Sequence, residues 1–119
     1  MLRVGSTVLG ASDVRRAAEF WSRALGYVPR GEIEERWAVL TPPDGVGQNV
    51  SLMLSDTPVQ EKPRVHLDLY TATPDEEIDR LLELGATRVD WQDYPPDPDF
   101  TVLADTEGNR FCVIDKSRE

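Results

Sequence analysis

The sequence holds one cysteine, Cys112, and one histidine, His66, among 119 residues. A single thiol excludes an internal disulfide framework and any zinc site built from several cysteines. Long apolar runs are missing as well. None approaches the roughly 20 residues that span a bilayer, and the N-terminus lacks the apolar core of a signal peptide. The expectation is therefore no membrane and a cytoplasmic, reducing location. Basic residues are scarce, 13 Lys and Arg against 22 Asp and Glu, for a net charge of −9. Phosphate backbones need a Lys/Arg surface, so nucleic acid is not an expected partner. The same acidity suits a cationic ligand, although acidic surfaces are more commonly just solvated.

What is present suits a folded domain. A hydrophobic fraction of 39% with 29% charged residues can fill one core, and the length fits a single domain over residues 1–119. Arg3–Leu9 is β-prone, and Ser12 or Asp13 then stands ready to cap a helix. Val14, Ala17, Ala18, Trp21, Ala24 and Leu25 recur at helical spacing, and Gly26 sits where a left-handed cap is wanted. Three β-prone stretches follow: Tyr27–Glu34, Arg36–Thr41 and Gln48–Ser55. Residues 56–63 are polar and proline-bounded, a linker by composition.

The pattern then restarts. Arg64–Tyr70 alternates, with Val65, Leu67 and Leu69 on one face and His66, Asp68 and Tyr70 on the other. Thr73-Pro74-Asp75-Glu76 predicts a helix start with a capping box, and Gly85 ends that helix. Ala86–Trp91, Phe100–Ala104 and Arg110–Asp115 are the remaining β-prone stretches, with an acidic, proline-rich loop over Gln92–Asp99. Each half is thus strand, helix, three strands, at an offset of about 60 residues. Leu25-Gly26 matches Leu84-Gly85, Ser6 matches His66, and Ser51 matches Cys112.

The repeat predicts an α/β (α+β) chain of two βαβββ modules, 1–55 and 64–119, forming a half-open, barrel-like sheet around one cleft. A helix covers one face of each sheet, and the other face carries Met53, Tyr70, Ile114 and either Trp37 or Phe100. Ser6, Ser51, His66 and Cys112 are expected on the cleft floor.

This organisation resembles the vicinal-oxygen-chelate superfamily of glyoxalase I, extradiol dioxygenases and bleomycin-resistance proteins, in its small glyoxalase-like subgroup. The likeness is carried by Phe20-Trp21, Leu25-Gly26-Tyr27, Val65-His66-Leu67-Asp68-Leu69 and Ala104-Asp105-Thr106-Glu107-Gly108-Asn109-Arg110-Phe111-Cys112. The last stretch is similar to a D-P-x-G-N signature, with Thr106 in place of proline. The resemblance implies metal ligands at Ser6, Ser51, His66 and Cys112. Only His66 keeps a usual ligand type, so no cofactor is expected; a divalent metal on His66 and Cys112 is the alternative. It also implies a homodimer.

The function this supports is binding of a small molecule, cationic or aromatic, such as an antibiotic. The site residues are Ser6, Ser51, Met53, His66, Asp68, Tyr70, Cys112, Trp37 and Phe100. The alternatives are a metal-dependent lyase, isomerase or dioxygenase, and a metal-free enzyme with His66 and Asp68 as an acid–base pair. His66 also has a purely structural reading, and Cys112 reads as a small buried filler rather than a nucleophile.

Overall fold

The computed structural model describes residues 1–118; Glu119, the last residue of the expected second module, lies outside them. The chain divides between Pro58 and Val59 into two compact units, each with one four-stranded sheet and one helix. The first contains β1 (Ser6–Ala11), α1 (Val14–Leu25), β2 (Val28–Pro29), β3 (Trp37–Thr41) and β4 (Asn49–Leu54). The second contains β5 (Asp68–Thr71), α2 (Pro74–Leu84), β6 (Thr87–Arg88), β7 (Phe100–Ala104) and β8 (Arg110–Asp115). The sheet orders are β1-β4-β3-β2 and β5-β8-β7-β6, with one parallel pair in each, β1 with β4 and β5 with β8. Both modules are therefore βαβββ.

The first core forms because α1 presents one apolar stripe. Asp13 caps the helix by accepting from the Arg16 N–H at 3.0 Å, and Gly26 ends it with φ 69°. Val14, Ala17, Ala18 and Trp21 face β3 and β4, where Ala38, Leu40 and Leu52 are fully buried. Burying one such leucine is worth about 1.5–3 kcal/mol relative to exposure. Phe20 is buried too, edge-on against Trp21 at 5.1 Å between ring centroids.

The second core repeats the plan on a smaller stripe, Ile78 and Leu81 of α2, with Leu103, Phe111 and Val113 beneath. Here the expected capping box is absent. The Thr73 side chain makes no cap bond; its hydroxyl lies 3.3 Å from that of Thr71, which instead accepts from the Thr73 N–H. Glutamates in the first turn still favour the positive end of the helix.

The expected Arg3–Leu9 strand is shifted to Ser6–Ala11, where it pairs with β4, and three other expected strands are cut back much further. Tyr27–Glu34 reduces to Val28–Pro29: the Arg30 N–H still donates to the Val39 carbonyl at 2.8 Å, but Gly31, at φ 80°, then turns the chain out of the strand. Ala86–Trp91 reduces to Thr87–Arg88. Arg64–Tyr70 pairs only from Asp68 onward, and Val65, expected on the buried face, is 80% exposed. The alternation is in the sequence, but Val65 lies outside the paired strand and is not covered. β7 and β8 have the expected bounds.

The β7–β8 turn sets the register of the second sheet. Asp105 is buried, and its Oδ1 accepts from the Glu107 and Asn109 backbone N–H groups, both at 2.9 Å. Its Oδ2 accepts from the Asn109 side-chain amide at 3.3 Å. The Asp-Thr-Glu-Gly-Asn segment is thus an architectural device, holding β8 at the point where Arg110, Cys112 and Ile114 face away from α2.

Candidate functional site

Register places the expected site residues in two groups, one per module. In a sheet, paired residues share a face. Val8 pairs with Ser51, Gly10 and Trp37 both pair with Met53, and Val39 pairs with Ser51. Trp37, Ser51 and Met53 therefore share the face of the first sheet that α1 does not cover, together with Ser6. The Ser6 and Ser51 hydroxyls are 2.7 Å apart, with Ser51 buried.

The second sheet repeats this register with different chemistry. Asp68 pairs with Cys112, Tyr70 and Phe100 with Ile114, and Val102 with Cys112. Asp68 thus occupies the place of Val8, and Cys112 that of Ser51. His66 Nε2 lies 3.0 Å from Asp68 Oδ1, so the expected pairing is made despite the roughly 7 Å spacing of alternate strand residues. The Cys112 thiol also donates to the Asp68 carboxylate. Burial, then the Asp68 charge, then that hydrogen bond push the thiol from its ordinary 9.0 up to about 11. Cys112 is half-buried rather than sealed in the core. It is held as a thiol, which removes the basis for nucleophilic chemistry near neutral pH.

These residues line a cavity of about 570 Å³ in the second module. His66, Asp68 and Cys112 form one part of the lining, and Tyr70, Phe100 and Trp91 supply aromatic wall. Ile114 and Val102 complete the apolar floor. Trp91 lies beyond the short β6 strand and lines the cavity.

The Gln92–Asp99 loop is fastened beside this wall. The Tyr94 hydroxyl accepts from the buried Val102 N–H at 2.8 Å, and its ring leans on Phe100 at 5.2 Å. Lys62 pairs with Asp93 at 2.7 Å, which raises the lysine pKa through the hydrogen bond and the charge of that carboxylate.

Four charged lining residues escaped sequence reasoning: Lys62, Asp99, Arg110 and Lys116. Arg110 and Lys116 share strand parity with Cys112, a signal that was available. A charge near a strand end, however, reads first as a solvated group.

A metal of the kind such folds carry would find three donors here. One ligand atom each from His66, Asp68 and Cys112 lies within 4.8 Å of the others. Imidazole, carboxylate and thiolate together suit a borderline or soft divalent ion such as zinc. The donor set fits, once the thiol gives up its proton. Asp68, on the same strand face as His66, would then join the expected His66 and Cys112 pair as a third ligand.

A model of the glyoxalase-like domain matches residues 6–114, and the chain belongs to that family. Its fold is that of solved members of the glyoxalase/bleomycin resistance/dioxygenase group. One is a family enzyme from Burkholderia phytofirmans, 14% identical, with TM-score 0.74 and coverage of 96% of this chain and 98% of that one. A genomically encoded fosfomycin resistance protein from Listeria monocytogenes is also 14% identical, with TM-score 0.74 and coverage of 97% and 91%. A superfamily member from Sphaerobacter thermophilus is 25% identical, with TM-score 0.67 and coverage of 98% of both chains. No curated protein matches the sequence. Among the described residues, no helix is long and apolar enough to cross a membrane.

Proposed function

We propose that this chain binds a small aromatic molecule in the cavity of its second module, without a resident metal. The carrying observation is the lining itself: Tyr70, Trp91 and Phe100 around a floor whose polar centre is Asp68, in a volume suited to a small organic ligand. Offset or edge-on stacking on such rings adds about 0.5–1.5 kcal/mol per pair beyond simple burial. Asp68 already accepts from His66 and from Cys112, so the polar centre is satisfied before anything binds. A ligand donor would then compete for the outward lone pairs of the carboxylate, which favours orientation over tight charge pairing. One protein with this fold is a fosfomycin resistance protein, and sequestering an antibiotic is one physiological form that binding by this chain would take.

The test is a thermal-shift screen of small aromatic compounds on the intact chain, followed by calorimetry of the hits. Binders should lose at least about tenfold in affinity with Phe100→Ala, as expected for a stacked, buried ring. Absence of any binder, or indifference of all hits to both Phe100→Ala and Tyr70→Ala, would sink this reading.

The donor trio favours a second reading, a metal-dependent enzyme of the same superfamily. Cobalt(II) titration separates the two. A thiolate-to-cobalt charge-transfer band at neutral pH that disappears in Cys112→Ser would establish the metal reading, and its absence would support the first. The homodimer expected from the resemblance belongs to the same proposal, and sedimentation equilibrium would decide it.

A further inference from the structure

The cavity reverses the charge balance of the chain. Over the whole sequence, acidic residues outnumber basic ones by 22 to 13. In the lining, Lys62, Arg110 and Lys116 outnumber Asp68 and Asp99. Cations concentrated in a concave, partly apolar site on an acidic protein act over a short range, because the surrounding charge is of the opposite sign and solvent screens beyond about 10 Å.

The cations differ in how far they are already engaged. Lys62 is paired with Asp93. The Lys116 ammonium lies 4.4 Å over the Tyr70 ring, a geometry that holds it against the aromatic wall. Arg110 is the exception. Its guanidinium donates to the Glu61 backbone carbonyl at 2.7 Å, a neutral acceptor, and among the described residues it forms no ion pair. That bond fixes one arm of the side chain and leaves the remaining N–H groups of the fork for another acceptor.

The position of Arg110 is also informative. It stands two residues before Cys112 on β8, as His66 stands two before Asp68. The Cys112 N–H donates to the Leu67 carbonyl at 3.0 Å, so the parallel pairing continues backward past Asp68. Arg110 and His66 therefore lie beyond the same end of the paired strands. Phe100 pairs with Ile114, toward the other end. The floor runs from Arg110 and His66, through the Asp68 hub, to an aromatic end where Lys116 lies over Tyr70.

We infer that the ligand is an aromatic acid, with its anionic head on Arg110 and its ring system over Phe100 and Tyr70. This rests on the aromatic-binding reading above and adds the head group to it. A planar carboxylate matches the guanidinium fork bidentately, which a lysine cannot reproduce. A cationic ligand would meet Arg110 and Lys116 at like charge. Its attraction in the lining would come from Asp68, already bonded twice, from Asp99 and from the aromatic faces, one of which Lys116 already covers.

The experiment uses three probes of one shape on the full chain, read by calorimetry: 2-naphthoate, the neutral 2-naphthamide and the cationic 2-naphthylmethylamine. The naphthoate should bind about tenfold tighter than the amide, as a charge-assisted bidentate pair predicts, and the amine weakest. Arg110→Gln should bring the naphthoate to the affinity of the amide, and Arg110→Lys should recover only part of the difference. Circular dichroism and melting of both variants verify that the fold is kept. Equal binding of naphthoate and naphthamide, or a naphthoate affinity that survives Arg110→Gln, overturns the head-group assignment while leaving aromatic binding intact. Binding of none of the three overturns both. The probe series on the unaltered chain decides the matter even if the variants fail to fold.

Discussion

At the scale of single residues, the centre of the cavity is governed by one carboxylate with two donors. Because Asp68 and burial raise the Cys112 pKa to about 11, the thiolate is scarce at neutral pH. Alkylation by iodoacetamide should therefore climb only toward pH 11 rather than near 9.0. Asp68→Asn removes the charge but not the burial, so the midpoint should move part of the way back and the rate at pH 8 should rise. An unchanged profile would show that burial alone holds the thiol. The sign for folding follows. A proton held more tightly in the native state stabilises it fully below about pH 9, and that contribution is lost as pH rises to about 11. Tyr94 offers a second measurement at this scale. Tyr94→Phe keeps the ring against Phe100 but leaves the buried Val102 N–H without its acceptor. The expected cost is about 1–3 kcal/mol in urea unfolding. The Tyr94 contact was not legible in the sequence, since it reaches from a loop whose path no local pattern specifies. The Asp68–Cys112 contact depends on the register of the parallel β5–β8 pair. The parity of His66, Asp68 and Tyr70 was legible, because strict alternation assigns a face whether or not the strand is paired throughout.

At the scale of elements, the two helices look alike in sequence and differ at their first turns. Asp13 caps α1 through its side chain, whereas Thr73 makes no such bond to α2. Asp13→Ala should cost about 1 kcal/mol, and Thr73→Ala should stay within about 0.5 kcal/mol, both measured by thermal unfolding. Similar losses from the two substitutions would show that Thr73 caps its helix in solution. The helices were readable because stripe, cap and terminal glycine coincide in each. β7 and β8 were readable because turn residues bound them on both sides. The two-residue strands β2 and β6 were not. There β-propensity extends further than the partner available to pair with it, and pairing, not propensity, decides a strand.

At the scale of the whole molecule, the charge of −9 is the dominant long-range property. Mutual repulsion among like charges opposes compaction, and added salt screens it. The melting temperature should therefore rise between about 10 and 150 mM sodium chloride, over which the Debye length falls from about 30 to 8 Å. A fall would mean that specific pairs such as Lys62–Asp93 outweigh the general repulsion. The duplicated architecture was legible at this scale from its offset alone, since equal spacing survives even where few identities do.

The shared register of the two modules has one more consequence, for protein engineering. Val8 and Ser51 stand in the first sheet as Asp68 and Cys112 stand in the second. Ser6 precedes Val8 as His66 precedes Asp68. The first module thus repeats the register of the socket with unreactive contents, although Ser51 is buried where Cys112 is half-buried. Ser6→His, Val8→Asp and Ser51→Cys together should graft a second His–Asp–Cys cluster onto it, detectable as a second alkylatable thiol whose reactivity also lags until high pH. One chain would then carry the original and its copy, each reporting on how much of the chemistry resides in three side chains and how much in the surrounding wall.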